Sequence, residues 1–265
     1  MGTVGPILEA LFRWLHVIFG IIWIGHLYFF NFVNGPFAAT MDGDTKKKVV
    51  PELMPRALWW FRWGAMWTYT FGWLLLLLVF YHGKQMFDAG IGGWGLAPIV
   101  LILAAAIVAP FVYDALAKSG LGKNGRVFGI VGFVLIALMI VLMVMWGKFS
   151  YRATNIHIGM MLGSIMFFNV WNRIWPTQKK IITAIKDGQA PDPAWPALAG
   201  ARSRHNTYMS LPLLWTMINA HTPTFSWGDP EHLNWMWIGV FLVIVALGWH
   251  IIWHLYRRAG KVKGF

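Results

Sequence analysis

Long apolar runs separated by short polar segments dominate the chain. Seven can be marked: Leu8–Val33, Ala57–Tyr81, Leu96–Leu116, Val127–Trp146, Tyr151–Ile174, Asn206–Ala220 and Leu233–Tyr256. A helix needs roughly 20 predominantly apolar residues to cross a bilayer core, and most of these runs reach that length. The sixth is shorter and carries Pro212, so it either extends back toward Arg204 or kinks. The pattern predicts an all-α, polytopic transmembrane helix bundle with about seven spans. Residues 1–265 read as a single integral membrane domain, with cytoplasmic loops at 34–57 and 175–203 that carry short interfacial helices. The first run is too long for the apolar core of a secretory signal peptide, and no small-residue cleavage site follows it.

Charge adds an orientation. If the N-terminus lies outside, the cytoplasmic segments collect Lys46–Lys48, the basic residues around Lys118–Arg126, those from Arg173 to Arg204, and the Arg257–Lys263 tail. The outer segments then hold only Lys84, Lys148 and Arg152. That asymmetry follows the positive-inside rule and predicts an odd number of crossings, with the C-terminus cytoplasmic. It also accounts for the net charge of +12 without nucleic acid, since the basic residues are dispersed over loops rather than gathered in one domain. A bacterial inner (cytoplasmic) membrane is the expected location. Trp59, Trp60, Trp146, Trp227 and Trp235 are placed to anchor at the interface, and Trp23, Trp67, Trp215 and Trp249 lie deeper, where they can wall a flat cofactor.

Cysteine is absent, which removes disulfides, thiolate metal sites and covalent haem attachment through CxxCH. Metal chemistry here falls to histidine, of which there are nine. By depth, His16, His82, His157, His221 and His232 fall toward the outer side, and His26, His205, His250 and His254 toward the inner. Two opposed imidazoles make a low-spin electron-transfer haem. Spacing does not demand one: His16 and His26 are about 80° apart around a helix, and only His250 and His254 share a face at i, i+4. Each deep histidine is thus open to two readings, ligand or satisfied core residue. Arg62 and Asp114 both fall toward the inner side, as an ion pair or in separate packing contacts. Gly125–Gly129 and Gly159–Gly163 have the small-xxx-small spacing of close helix packing.

Three motifs then carry a resemblance. WLHVIFGIIWIG in the first run, HIGMMLGSIMFFNVWNRIWPTQKK in the fifth and RHNTYMSLPLLWTMINAHTP in the sixth, with the ending ALGWHIIWH, resemble the membrane domain of the membrane-bound urate oxidase (urate hydroxylase) family. The first motif is also similar to that of membrane-type haem-binding protoporphyrinogen oxidases. The resemblance implies oxidation of urate toward 5-hydroxyisourate, with electrons passing to cytochrome c rather than to peroxide. It marks His16, His157, Asn169, His205, Asn206, Tyr208, His221 and His250 as functional positions.

The resulting expectation assigns catalysis to His205, Asn206 and Tyr208. It assigns haem b to His16, His157, His221 and His250, with His16, His157 and His221 as candidates for the iron. The family's C-terminal cytochrome c domain is lacking in this sequence, so a separate cytochrome c or quinone is expected to take the electrons. The alternative is a non-catalytic subunit of a larger respiratory or photosynthetic membrane complex, in contact with other membrane subunits and the lipid bilayer.

Overall fold

The computed structural model describes residues 4–222 and 235–262; His232, Trp227, Lys263 and the start of the seventh expected span lie outside the described residues. Among the described residues the chain is helical, with no strand. Ten α-helices follow one another: α1 Val4–Tyr28, α2 Gly35–Thr40, α3 Gly43–Leu75, α4 Leu96–Leu103, α5 Ala109–Lys118, α6 Gly125–Met145, α7 Tyr151–Asn169, α8 Trp175–Lys186, α9 Ala194–Asn219 and α10 Trp235–Ala259. Four joins between them, or at their ends, are π-helical: Phe29–Asn34, Leu76–His82, Ala104–Val108 and Val170–Ile174. A π turn inserts a residue without breaking the rod, so it re-aims every side chain beyond it.

Four of them joined to neighbours through these turns, six helical runs among the described residues are long and apolar enough to cross a membrane: Val4–Thr40, Gly43–His82, Leu96–Lys118, Gly125–Met145, Tyr151–Lys186 and Trp235–Ala259. The protein is a multi-pass membrane protein. Its outer faces agree with that, because Leu96, Ile107 and Phe111 on the third run and Ile130 and Val134 on the fourth are exposed apolar side chains. On a soluble protein such bands would drive aggregation; here they meet lipid. The interior adds polar groups to an apolar core that includes Leu27, Phe61, Ile140 and Met166. It buries Thr154, Asn155, His157, Ser164, Asn169, Asn206, Thr207, Ser210 and Thr216.

Two expected boundaries move. Within the segment 34–57, α2 fills Gly35–Thr40, and α3 begins at Gly43 and runs unbroken into the second span. Pro51 and Pro55 sit inside α3, one turn apart, so the carbonyls they leave without a donor, those of Lys47 and Pro51, lie on one side of the helix. The sixth element begins at Ala194 rather than Asn206, with Pro212 inside it, and it is not among the six apolar runs. Hydropathy reports what a helix offers to lipid, and α9 turns Asn206, Thr207, Ser210 and Thr216 into protein. Around the fifth run, 83% of the most apolar window is buried, against 11–33% in the other five.

The chain forms two compact units, one made of Met1–Trp73, Met166–Ser210 and Trp249–Phe265, the other of Leu74–Ile165 and Leu211–Gly248. In the first, Gly64 admits α1: a Cβ there would lie 3.0 Å from Ile22 Cγ2 and 3.1 Å from the Trp23 nitrogen. In the second, Gly159 admits α9, since a Cβ would overlap Thr216 Oγ1 and come within 2.7 Å of Met217 Cε. The close approach expected for Gly159–Gly163 thus occurs at Gly159, whereas a Cβ at Gly163 would make only ordinary contact, 3.5 Å from Leu213 Cδ1. Gly125 differs, having nothing within 4 Å of an added Cβ.

Candidate functional site

His16 sits half-buried in the first unit, where α1 meets α3. Its Nδ1 lies 2.9 Å from the Thr68 carbonyl oxygen. A carbonyl only accepts, so Nδ1 carries the proton and Nε2 keeps its lone pair in the neutral ring. The carbonyl is held in place in turn, because the Thr68 hydroxyl donates to the Gly64 carbonyl at 2.7 Å. Gly72 leaves room for the imidazole: a Cβ there would stand 3.0 Å from His16 Cε1. Phe71 stacks on Phe19 at 6.0 Å and on Trp67 at 6.0 Å, and Phe12 lies 6.0 Å from Phe71. A neutral imidazole with a committed Nδ1–H and an open Nε2 is in the state through which a histidine could hold a haem iron. The donor set fits one end of a haem.

His157 belongs to the second unit and is fully buried. Its Nδ1–H donates to the Ala153 carbonyl one turn back at 2.7 Å, and the Tyr81 hydroxyl donates to its Nε2 at 3.0 Å. Both ring nitrogens are thus used. The π turn at Leu76–His82 makes this enclosure, because it brings two successive residues, Phe80 and Tyr81, onto one imidazole, with ring centroids at 6.3 and 5.8 Å. Phe149 closes another side at 5.1 Å. In this arrangement His157 is a satisfied core histidine.

The three residues expected to act on substrate face different neighbours. Asn206 is fully buried: its Oδ1 accepts from Asn169 Nδ2 at 2.8 Å, and its Nδ2 donates to the Met166 carbonyl at 3.0 Å. Asn169 and Asn206, both singled out in the sequence, form a clamp between α7 and α9. Tyr208 turns toward α10 and stacks on Tyr256, with centroids 6.0 Å apart. His205 is half-buried and directly follows Arg204, three residues after Arg202. His221 is exposed just past α9, its backbone N–H donating to the Ile218 carbonyl at 3.2 Å. On α10, His250 and His254 are exposed and turned on each other, Nε2 to Nε2 at 3.1 Å. No group of three or more metal-ligating side chains is found among the described residues.

Sequence reasoning missed several partners. Tyr81 ends a span as an apparent interfacial aromatic, and Thr68 offers only its backbone. Asn31, in the π turn after α1, joins α9 and α10 by donating to Ser203 Oγ at 2.8 Å and accepting from the Tyr256 hydroxyl at 2.8 Å. Arg62 and Asp114 take separate company. Asp114 pairs with Lys118 at 2.7 Å, whereas the Arg62 guanidinium lies 4.0 Å above the Trp175 ring.

The profile of the Urate oxidase N-terminal family matches residues 4–263, nearly the whole chain. No curated protein and no solved structure gives a match. The chain belongs to the Urate oxidase N-terminal family.

Proposed function

We propose that this member of the urate oxidase N-terminal family is a haem b-binding membrane oxidoreductase of the urate hydroxylase kind. Urate is converted with water to 5-hydroxyisourate, with two protons released and two electrons passed on to a separate cytochrome c, one per molecule, or to a quinone, which takes up two protons as well. The observation that carries the reading is the state of His16, whose Nδ1–H is committed to the Thr68 carbonyl at 2.9 Å while Nε2 stays available. His16 would hold the iron, and bound haem would supply a one-electron acceptor. His205 is the proposed proton acceptor on the substrate side, with the Tyr208 hydroxyl as a hydrogen-bond partner for the substrate. The N-terminus is placed outside a bacterial inner membrane and the C-terminus in the cytoplasm, following the basic residues of the loops.

The test is a reduced-minus-oxidised absorption spectrum of the purified protein, followed by urate-driven reduction with an added acceptor. A b-type band lost in His16→Ala, together with urate-dependent acceptor reduction, is the expected result. A colourless, folded wild-type protein would refute the cofactor; full haem with no response to urate would refute the substrate.

One observation favours a second reading. Asn206, expected at the substrate, has its carbonyl and amide taken up by the clamp to Asn169 and Met166. A haem-bearing, non-catalytic subunit of a larger membrane complex accommodates that directly, and co-purification with further membrane subunits would distinguish it.

A further inference from the structure

Arg62 has a cation's needs and no counter-charge. Its guanidinium carbon lies 4.0 Å from the Trp175 ring centroid and 5.8 Å from that of Trp171. No carboxylate among the described residues is within ion-pair distance of it. Its Nε–H is shielded from solvent without an acceptor, and so is the indole Nε1–H of Trp171. Aromatic faces stabilise the cation but accept no in-plane N–H. Two neighbouring buried donors and one uncompensated charge call for an acceptor that is anionic and carries several oxygens.

Depth indicates where that acceptor comes from. Arg62 is 20 residues from His82, the end of its helical run, an axial rise of roughly 30 Å, about one hydrocarbon thickness. Trp171 is 20 residues from Tyr151, the start of another run, which gives about the same rise. Both residues therefore fall where a bilayer's headgroups begin when the opposite helix ends mark the other surface. The aromatic company agrees: Trp59 and Trp60 are exposed and pack at 4.9 Å, and Trp63 packs edge-on against Trp171 at 5.8 Å. Tryptophan gathers at that level of a membrane.

We propose that Arg62, Trp171 and Trp175 form a phosphate-binding site, with Trp175 fixing the guanidinium plane and Arg62 and Trp171 donating to phosphate oxygens. The phosphate is that of an acidic phospholipid headgroup or free phosphate. The full-length protein, delipidated in non-ionic detergent, is titrated by native mass spectrometry with phosphatidylglycerol and with diacylglycerol, which lacks the phosphate. Inorganic phosphate is titrated separately by calorimetry. One phosphatidylglycerol should bind the wild type at least tenfold more tightly than diacylglycerol. Arg62→Gln should abolish that preference, Arg62→Lys should keep part of it, and Trp171→Phe, which retains a ring and removes the N–H, should weaken it several-fold. Arg62-dependent binding of inorganic phosphate without a lipid preference keeps the site and assigns it to free phosphate. Unchanged binding of both ligands in Arg62→Lys and Trp171→Phe overturns it, even if Arg62→Gln fails to fold.

Discussion

Tyr81 donates its phenolic proton to Nε2 of His157 across 3.0 Å, and the opposite nitrogen of the same ring donates to the Ala153 carbonyl. The pair is a closed unit inside the protein, so removing either member strands the other. Tyr81→Phe keeps the ring and leaves a buried nitrogen without a donor, which costs about 1–3 kcal/mol. Thermal melts in detergent should fall accordingly while any haem band stays unchanged. A shifted or lost band with unaltered stability would make His157 a ligand instead.

The amide clamp predicts coupling. Asn169→Leu and Asn206→Leu should each destabilise by about 1–3 kcal/mol, because each leaves a buried amide group of its partner unmatched. The double variant should be milder than the sum by about 0.5–3 kcal/mol. Additive losses in a double-mutant cycle would show that the two amides act independently.

Two glycines of similar sequence setting should behave oppositely. Gly159→Ala forces a Cβ into Thr216 Oγ1 and Met217 Cε, an overpacking cost of about 1–3 kcal/mol. Thr216→Ala introduced alongside it should recover part of that loss, since the obstructing oxygen is gone. Gly125→Ala meets open space and should stay within about 0.5 kcal/mol of wild type. Denaturation midpoints of the four proteins provide the comparison.

Gly72→Ala probes the His16 site by displacing the ring while leaving every polar group in place. The new Cβ would sit 3.0 Å from Cε1, so the imidazole must tilt. With the proposed haem bound, its Soret and α bands should shift while the protein melts close to wild type. Identical spectra would remove His16 as the ligand.

Asp42 introduces a pH dependence at the start of α3. Its carboxylate accepts from the Thr45 backbone N–H and hydroxyl, both at 2.8 Å, and these bonds hold its pKa below the ordinary carboxylate value. The sign follows from the depressed folded pKa. The cap is fully effective above the unfolded value near ~3.9 and is lost as pH falls through the lower folded value. The protection of the Thr45 amide, the slowing of its exchange relative to the unstructured rate at the same pH, should therefore fall on acidification, and Asp42→Ala should show the low protection at every pH.

Much of this architecture is written in one dimension. Crossing a bilayer takes about 20 apolar residues, and no polar residue can be hidden from that count cheaply, so the rods of the bundle are legible as runs. The sixth rod was misjudged for the converse reason. Its Asn206, Thr207, Ser210 and Thr216 face protein, which satisfies their polar groups and lets the helix reach back to Ala194. The family, too, is legible in the WLH, HIGMMLG and RHNTYMS stretches, and its profile covers residues 4–263.

The site was legible only as a list of candidates. His16 and His157 read alike in sequence, as histidines in apolar spans. Tertiary structure separates them by what stands opposite Nε2: for His157 the Tyr81 hydroxyl, brought there by a π turn that no periodicity announces, and for His16 no bonded partner among the described residues. The sequence by itself determined that the chain is helical, spans a membrane and keeps costly polar groups inside it. Only the packed helices decided which of those groups are spent on each other, because a hydrogen bond is set by the direction of two side chains from two rods. Residue type and spacing along one rod do not contain that direction.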